Sequence, residues 1–262
     1  MKPGTLRIVI ISVVLLALLS IGIYLVVNFS DDGGKILNVR VTNVTSNAAT
    51  ISWMTEKPFV GKVYYSEDNN WFPIFEPAKA KAYDDRDTEI NNEGELVLKS
   101  EKQSDRYSHH VTIRNLDPNK TYYFRIAGYL HKTFAFDITS FNTLSVTEEI
   151  NTPDPIYGRV KNYAVGENDP VDGIVYYRIV TAANDEGPKS AWYSSPISST
   201  SSWTGDLSQL YAEDGSRFSW TAARNDIELE SETEVGGGVT TQDLDNYKPI
   251  SDINVNIRYF YE

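Results

Sequence analysis

The sequence predicts an all-β protein, with two tandem β-sandwich domains after one N-terminal transmembrane helix. Aromatic residues make up 12% of the 262 residues, and together with the many Val, Ile and Thr residues they favour strands. Beyond the N-terminal part, short segments alternate apolar and polar side chains, and no long segment has helical periodicity. The third observation is an unbroken, almost wholly apolar run from Ile8 to Val27.

The apolar run Ile8–Val27 is long enough to cross a bilayer, because about 20 helical residues span a hydrocarbon core of about 30 Å. Lys2 and Arg7 precede the run, and Asp31 and Asp32 follow it. Since positive charge is retained on the cytoplasmic side, the chain is expected to enter the membrane with its N-terminus inside.

This expectation gives a cytoplasmic segment over residues 1–7 and an anchor over residues 8–29. The rest of the chain then lies in an extracellular or periplasmic space. A cleaved signal peptide is an alternative, although Val27-Asn28-Phe29-Ser30 is a poor cleavage site. A pilin-type leader with Gly4 as the processing glycine is another, but the run lacks the early glutamate that bacterial type IV pilins usually carry.

Composition restricts the environment and the chemistry of the chain. The sequence has no cysteine, which excludes thiol catalysis and cysteine zinc sites. Extracellular animal proteins of this size usually carry disulfides, so a prokaryotic surface is favoured. The formal net charge is −12, from 36 acidic and 24 basic residues. Such an acidic surface repels phosphate backbones, so nucleic-acid binding is not expected.

The first outer domain is predicted over residues 35–146. Its segments are short and alternate apolar with polar residues between turn residues, which is typical of a two-sheet sandwich. Trp53 is expected to be the large side chain that fills the core. The predicted strands are Ile36–Val41, Ala49–Trp53, Gly61–Ser66, His110–Arg114, Leu116–Ile126 and Ile138–Thr143.

In this region the chain resembles a fibronectin type III domain. The resemblance rests on Ile51-Ser52-Trp53, Gly61–Tyr65, the pattern Leu116-x-Pro118-x-x-x-Tyr122-x-Phe124-x-Ile126, and Ser140-Phe141-x-Thr143. It implies that Tyr122 is a tyrosine-corner residue, whose hydroxyl bonds the backbone near the preceding turn. An Ile-Ser-Trp-x-Thr strand like this one also opens the β-domain that precedes purple acid phosphatases. The metal-binding His and Asp motifs of that enzyme are absent from the sequence, so the resemblance implies only the sandwich.

An insertion over residues 67–106 departs from this family. It begins with an aromatic cluster of Trp71, Phe72 and Phe75, and a strand-like Leu96–Leu98 comes later. The aromatic side chains are expected either to fold back onto the core or to contact a partner protein or glycan. The second possibility arises because long insertions on rigid sandwiches often carry recognition.

An acidic group follows the aromatic cluster, with Asp84, Asp85 and Asp87 at its centre. Calcium prefers hard oxygen ligands such as carboxylates, so a calcium site is one hypothesis for these residues. Their spacing matches no EF-hand, and a solvated acidic loop is the alternative.

The second outer domain is predicted over residues 153–262. Its Ile156-x-Gly158-x-Val160 segment, and Pro170-Val171-x-Gly173 leading into the next strand, resemble carboxypeptidase regulatory-like or Cna-B-type domains. These are prealbumin-like sandwiches used as spacers and stalks. The predicted strands are Ile156–Val160, Ile174–Val180, Trp192–Ile197, Arg217–Ala222, Ile227–Glu232 and Ile253–Tyr261.

Proline and glycine mark two connections. The segment between the domains, Thr147–Asp154, is short and partly stiffened by Pro153, so the domains are expected to form a semi-rigid rod. Gly236–Gly238 has no strand–loop–helix context, and it is expected to be a flexible turn rather than a phosphate-binding loop.

Sequence motifs for catalysis or cofactor binding are absent. His109 and His110 are neighbours, and adjacent residues of a strand point to opposite faces, so they are not expected to share a metal. There is no His-Glu-x-x-His, Gly-x-Ser-x-Gly or Walker motif. We therefore expect neither enzyme activity nor a cofactor.

These features indicate a non-catalytic, membrane-anchored protein of a prokaryotic cell surface, with β-sandwiches displayed for adhesion or surface protein interaction. One alternative is a structural subunit of an envelope complex or filament. Another is a carbohydrate-binding accessory protein that serves a separate enzyme. The oligomeric state stays open.

Overall fold

The computed structural model describes residues 12–22, 35–69, 80–126, 139–146, 152–164, 166–182, 187–245 and 247–255. Residues 12–22 form a helix with exposed apolar side chains, among them Leu16 and Leu19. Within the described ranges, no helix combines the length and the hydropathy needed to span a membrane. The remaining parts of the predicted anchor, residues 8–11 and 23–29, lie outside the described residues.

Two antiparallel sheets form the first domain, as the alternating segments predict. One sheet has the strand order β1-β2-β7, the other has the order β4-β3-β8-β9, and the two enclose a common core. The strands are β1 Ile36–Thr42, β2 Ala48–Val60, β3 Lys62–Ser66, β4 Ala80–Tyr83, β5 Thr88–Ile90, β6 Leu96–Leu98, β7 Asp105–Arg114, β8 Thr121–Ile126 and β9 Thr139–Asn142.

The inward positions of these strands make the core of the first domain. Trp53, the side chain expected to fill the core, has no exposed surface, and it belongs to one cluster with Ile51 and Phe124. The backbone N–H of Asp117 donates to Tyr122 Oη at 3.0 Å. This bond confirms the tyrosine corner and ties the start of β8 to the turn before it.

The insertion adds structure along one side of this sandwich. β4 extends the second sheet at its edge, a 3₁₀ turn follows over Asp85–Asp87, and β5 pairs with β6 in a short hairpin. The predicted strand Leu96–Leu98 is therefore confirmed. Trp71, Phe72 and Phe75 lie outside the described residues, so their packing stays a prediction.

Two further sheets form the second domain around a core of its own. One has the order β12-β11-β14-β15 and the other the order β13-β10-β16, in which β10 and β16 run parallel. Ile156, Tyr177, Trp203 and Ile227 are among the buried core residues. The strands are β10 Pro155–Lys161, β11 Gly173–Thr181, β12 Tyr193–Pro196, β13 Ser202–Asp206, β14 Asn225–Thr233, β15 Gly236–Asp243 and β16 Ile253–Asn254.

Two predictions for the second domain were wrong. Gly236–Gly238 is no flexible turn but the start of β15, which pairs with β14. A Cβ on Gly238 would lie 2.2 Å from the carbonyl oxygen of Asn254, so glycine lets this strand pass close to β16. Arg217–Ala222 is not a strand and has only an isolated bridge at Arg217. β13 pairs with β10.

The two sandwiches lie side by side, which corrects the predicted semi-rigid rod. The sheet β1-β2-β7 turns its outer face toward the second domain, and β7 contacts β11, β12 and β14 there. The rod was expected from the linker composition alone. The two sheet faces decide the arrangement instead, because each carries side chains that bond the other.

Candidate functional site

The interface between the two domains is the candidate functional site. It is built on the outward positions of β2 and β7, which alternate with the core positions along each strand. Thr50 and Ser52 of β2, and Ser108 and His110 of β7, are at most 5% exposed. A bare sandwich would leave this face in water; here the insertion of the first domain and the second domain together bury it.

Apolar side chains also lie between the facing sheets. Met54, Ile174 and Tyr176 are buried, and none of them belongs to either domain core. Tyr176 Oη and Ser52 Oγ form a hydrogen bond of 3.1 Å across the interface. Burial raises the pKa of Tyr176, so its hydroxyl keeps its proton and remains available for this bond.

One group of contacts centres on Asp172, in the turn before β11. Its Oδ1 accepts from Arg86 Nη1 at 2.9 Å and also from Ser108 Oγ. Its Oδ2 accepts from the backbone N–H of Tyr107 at 2.7 Å. We name Asp172, Arg86 and Ser108 the Asp172 cluster. The two charged side chains are only 15% and 16% exposed, so water screens their attraction weakly.

Asp84 orients Arg86 toward this cluster. The guanidinium Nε donates to Asp84 Oδ1 and Nη2 donates to Oδ2, both at 2.8 Å. The backbone N–H of His110 donates to Oδ2 as well, at 3.0 Å. Burial alone would raise the pKa of Asp84, but the hydrogen bonds and charge of Arg86 outweigh burial and lower it to about 2. Asp84 is therefore ionised at neutral pH and holds Arg86 in place.

The other two carboxylates of the acidic group also face cationic or hydrogen-bonding neighbours. Asp85 lies 2.8 Å from His110 Nδ1 and 3.0 Å from Arg114 Nη1. Asp87 accepts from Arg106 Nη2 at 3.0 Å. In the part of the chain that the structure describes, no three His, Cys, Asp or Glu side chains are grouped to hold a metal ion. The calcium hypothesis gains no support from this geometry and stays a prediction.

A second group of contacts centres on Ser194 of β12 and has an Asp–His–Ser order. Asp85 Oδ2 lies 2.8 Å from His110 Nδ1, and His110 Nε2 lies 3.0 Å from Ser194 Oγ. Thr42 Oγ1 lies 2.6 Å from the same Oγ. Asn43 donates to the Ser194 carbonyl at 3.0 Å and accepts from its N–H at 2.9 Å. We name these five residues the Ser194 cluster.

The Ser194 cluster has the atom order of a Ser-His-Asp catalytic triad, but the position of the nucleophile is closed. Ser194 is 5% exposed, and its hydroxyl already contacts Thr42 and His110. Acyl transfer needs space for a carbonyl about 3 Å from the nucleophile, and donors for the oxyanion. The Ser194 hydroxyl is instead buried and engaged in contacts that join the two domains.

A third group centres on Arg40 of β1. Its two terminal nitrogens donate to the two carboxylate oxygens of Glu230, each at 2.7 Å, and Nη2 donates to Glu232 Oε1 at 3.0 Å. The guanidinium carbon lies 4.2 Å from the ring centre of Tyr176. Burial raises the pKa of Glu232 to about 7, although the charge of Arg40 opposes this shift. We name Arg40, Glu230, Glu232 and Tyr176 the Arg40 cluster.

The adjacent histidines point to opposite faces of β7, as the alternation predicts. His110 faces the interface, whereas His109 stacks on Trp53 in the core, with ring centres 4.7 Å apart. β7 starts at Asp105, earlier than predicted, so both histidines lie within the strand. Burial lowers the pKa of His109 to about 4, and its ring is neutral at neutral pH.

Sequence reasoning did not find the three clusters. Asp172 lies in the Pro170–Gly173 segment that leads into a strand, and Arg40 and Glu230 occupy ordinary polar positions of their strands. One signal was present: the outward positions Thr50 and Ser52 of β2 are small and uncharged. A strand face that faces water usually carries some charged residues, so this face was a candidate for burial.

Comparisons with known proteins match less than half of the chain. No curated protein matches the chain. Among solved structures, the sensor domain of the anti-sigma factor RsgI4 from Pseudobacteroides cellulosolvens is 16% identical, over 45% of this chain and 96% of that chain. The TM-score between the two structures is 0.25. Residues 36–143, less than half of the chain, match the family model described as Purple acid Phosphatase, N-terminal domain.

That family domain is a non-catalytic, fibronectin III-like β-sandwich. The matched range begins at the start of β1 and ends just after β9, so it coincides with the first domain of the structure. The first domain of this chain is therefore similar to the N-terminal domain of purple acid phosphatase.

Proposed function

We propose that this chain is a non-catalytic protein of a prokaryotic cell surface, anchored by its N-terminal apolar run. It displays two sandwiches in one fixed orientation, for adhesion or for contact with a surface protein. The observation that carries this proposal is that the Ser194 cluster is buried between the two domains. The arrangement that most resembles catalytic machinery therefore joins the domains.

Directional contacts support the fixed orientation. The carboxylate of Asp172 accepts from both side-chain and backbone donors of the first domain. Arg40 forms a bidentate pair with Glu230, which restricts rotation because two parallel bonds must keep their geometry. Contacts of this kind, between complementary charges, fix the register of two surfaces.

The apolar run Ile8–Val27 supports the anchor. Within it, Leu16 and Leu19 are 66% and 64% exposed, so the two domains do not cover them. Exposed apolar side chains grouped in one segment are unfavourable in water, at about 25 cal/mol per Å². A bilayer removes this cost, and the flanking charges favour an N-terminus inside.

The second domain is proposed to be a prealbumin-like spacer. Two facing sheets with their own buried core support this part of the proposal. A spacer packed on the first domain widens the displayed body and does not lengthen it. Exposed loops and sheet edges of both domains then offer contact surfaces to a partner.

Alkaline carbonate washing of membranes tests the anchor in cells that express the full chain. We expect the protein to stay in the membrane pellet, and the double variant Leu16→Asp, Leu19→Asp to be released, because a charge in a spanning helix costs about 2.5–3.5 kcal/mol. Val239→Asp, at an exposed apolar position of the second domain, is the matched control and should stay in the pellet. Release of the unmodified chain would contradict the anchor.

Light scattering of the full chain in mild detergent tests the display function, together with identification of the proteins that co-purify. A single chain in its micelle, with no stable assembly, is the expected result for a display protein. A large mixed complex would overturn the proposal in favour of a structural subunit.

A further inference from the structure

A cleft of about 610 Å³ lies between the two domains, next to the Ser194 cluster. Thr42 of that cluster lines it, together with residues of β1, β9 and the segment after β9. The second domain contributes residues 191–193 and the turn over residues 211–215. Small-molecule sites typically have about 300–1,000 Å³ and often lie between domains, so the size and position of this cleft suit a ligand.

Aromatic side chains form part of the cleft surface. Trp192 is half-buried and Tyr211 is buried, and both line the cleft. The guanidinium of Arg178 lies 4.4 Å from the ring centre of Trp192 and fixes the indole orientation. The exposed part of the Trp192 indole is therefore an ordered surface for a ligand with an apolar face, whereas Tyr211 supports the wall from beneath.

The rim of the cleft is polar and has no cationic side chain. Exposed side chains of Asn119, Asn142 and Glu213 offer amide donors, amide acceptors and a carboxylate. No lysine, arginine or histidine of the described chain lines the cleft. The rim therefore gives an anionic ligand no counter-charge.

Hydrogen bonds and packing hold the two walls in place. The turn over residues 212–216 closes with a bond of 2.8 Å from Ala212 N–H to the Ser216 carbonyl. Gly215 has a φ of +83°, and a Cβ there would lie 3.0 Å from Leu144 Cδ2 of the first domain. The Leu144 carbonyl in turn accepts from the N–H of Asn119 at 3.2 Å. Leu144 therefore connects the walls, and the cleft exists before any ligand binds.

We infer that this cleft binds a neutral saccharide of one or two rings. A sugar ring has C–H faces that stack on aromatic rings and a rim of hydroxyls that pair with amides and carboxylates. The carboxylate Oδ1 of Asp214 accepts from Ser216 N–H at 2.9 Å and from the Ser216 hydroxyl at 2.6 Å, so this carboxylate is oriented by its own turn. Together with Glu213 it offers acceptors to the hydroxyls of a sugar.

The inference deepens the proposed function, since it gives the display protein a ligand class. It rests on the proposed function only for the cellular location in which the protein would bind the saccharide. Binding can be measured on the full chain wherever the protein is located, so failure of the anchor test and failure of this test are distinguishable.

Saturation-transfer NMR on the full chain, in a detergent without a sugar headgroup, tests the inference. The probes are cellobiose and N,N′-diacetylchitobiose, with glucuronate as an anionic and glucosamine as a cationic comparison. We expect transfer to at least one neutral disaccharide, with a dissociation constant of about 1 mM, and tenfold less transfer to glucuronate. No transfer to either neutral disaccharide at about 20 mM would overturn the inference.

Two substitutions locate the binding. Ser145→Trp places an indole in the cleft from its rim and should abolish the transfer. Ser100→Trp, at an exposed position of the insertion, is the matched control and should leave the transfer unchanged. The unfolding midpoints of both variants show that each is folded. Equal transfer in Ser145→Trp and the unmodified chain, or stronger transfer to glucosamine than to the disaccharides, would overturn the inference.

Discussion

Removal of the Asp172 carboxylate tests whether the interface holds the two domains together. In Asp172→Ala, Arg86 Nη1, Ser108 Oγ and the Tyr107 N–H lose their shared acceptor. Breaking a buried ion pair from one side costs about 3–5 kcal/mol. Arg86 keeps both bonds to Asp84, which places the expected loss near the lower limit, at about 3 kcal/mol.

Urea unfolding of the full chain, followed by tryptophan fluorescence and circular dichroism, measures this loss. With a slope of about 3 kcal/mol per M, a loss of about 3 kcal/mol moves the midpoint by about 1 M. The donors of the Asp172 cluster belong to the first domain and the acceptor to the second. We therefore expect the variant to separate the unfolding of the two domains as well as to lower the midpoint.

Asp169→Ala is the matched control for this experiment. Asp169 lies in the same loop and carries the same charge, but it pairs with Lys161 of its own domain at 2.7 Å. These side chains are 23% and 30% exposed, and surface pairs contribute only about 0–1 kcal/mol. A loss in Asp172→Ala below about 1 kcal/mol, or equal to that of the control, would refute the argument that the interface is held by this carboxylate.

Three further predictions use the same unfolding measurement. Because burial lowers the pKa of His109 to about 4, this side chain binds more protons in the unfolded chain between pH 4 and 6.5. Its own contribution to stability should therefore rise by about 3 kcal/mol over that range, and the stability of the unmodified chain relative to His109→Gln should change by this amount. Because burial raises the pKa of Glu232 to about 7, this side chain binds more protons in the folded chain between pH 4.5 and 7. Its own contribution to stability should therefore fall by about 3 kcal/mol over that range, and the stability of the unmodified chain relative to Glu232→Gln should change by this amount. An unchanged slope in either variant would contradict the assignment of that group. Ser194→Ala should cost about 1–3 kcal/mol, because it leaves buried hydrogen-bonding groups without a partner, and the unmodified chain should not react with a fluorophosphonate probe.

The core of the first domain could be predicted because its signal is local. Apolar side chains alternate along β2 and β8, and this period assigns Ile51, Trp53 and Phe124 to the inside of a sandwich. The Tyr122 corner was implied by the resemblance to fibronectin type III domains, which rests on a short pattern around Tyr122. In both cases neighbouring residues of the sequence are also neighbours in the structure, so the sequence pattern and the contact coincide.

The interface could not be predicted, because alternation separates inside from outside and does not show what the outside meets. Thr50 and Ser108 have the same polarity whether water or a second polar sheet faces them. Asp172 follows Pro170 and precedes Gly173, which is typical of a turn, and no local signal links it to Arg86. Such contacts join residues that lie far apart in the sequence. No local pattern in a single sequence shows which of these residues pair with each other.

Polar contacts between the domains have a consequence that apolar contacts would lack. Interfaces between domains of one chain usually permit relative motion of the domains. Two flat apolar sheets can slide over each other as well, because the hydrophobic effect has no direction and the contact area changes little. The Asp172 carboxylate and the Arg40–Glu230 pair accept only one arrangement, since a slide breaks several bonds and leaves buried charge without a partner. The walls of the cleft come from both domains, so its shape depends on this arrangement. Asp172→Ala should therefore weaken saccharide transfer although Asp172 does not line the cleft, whereas the Asp169→Ala control should leave the transfer unchanged.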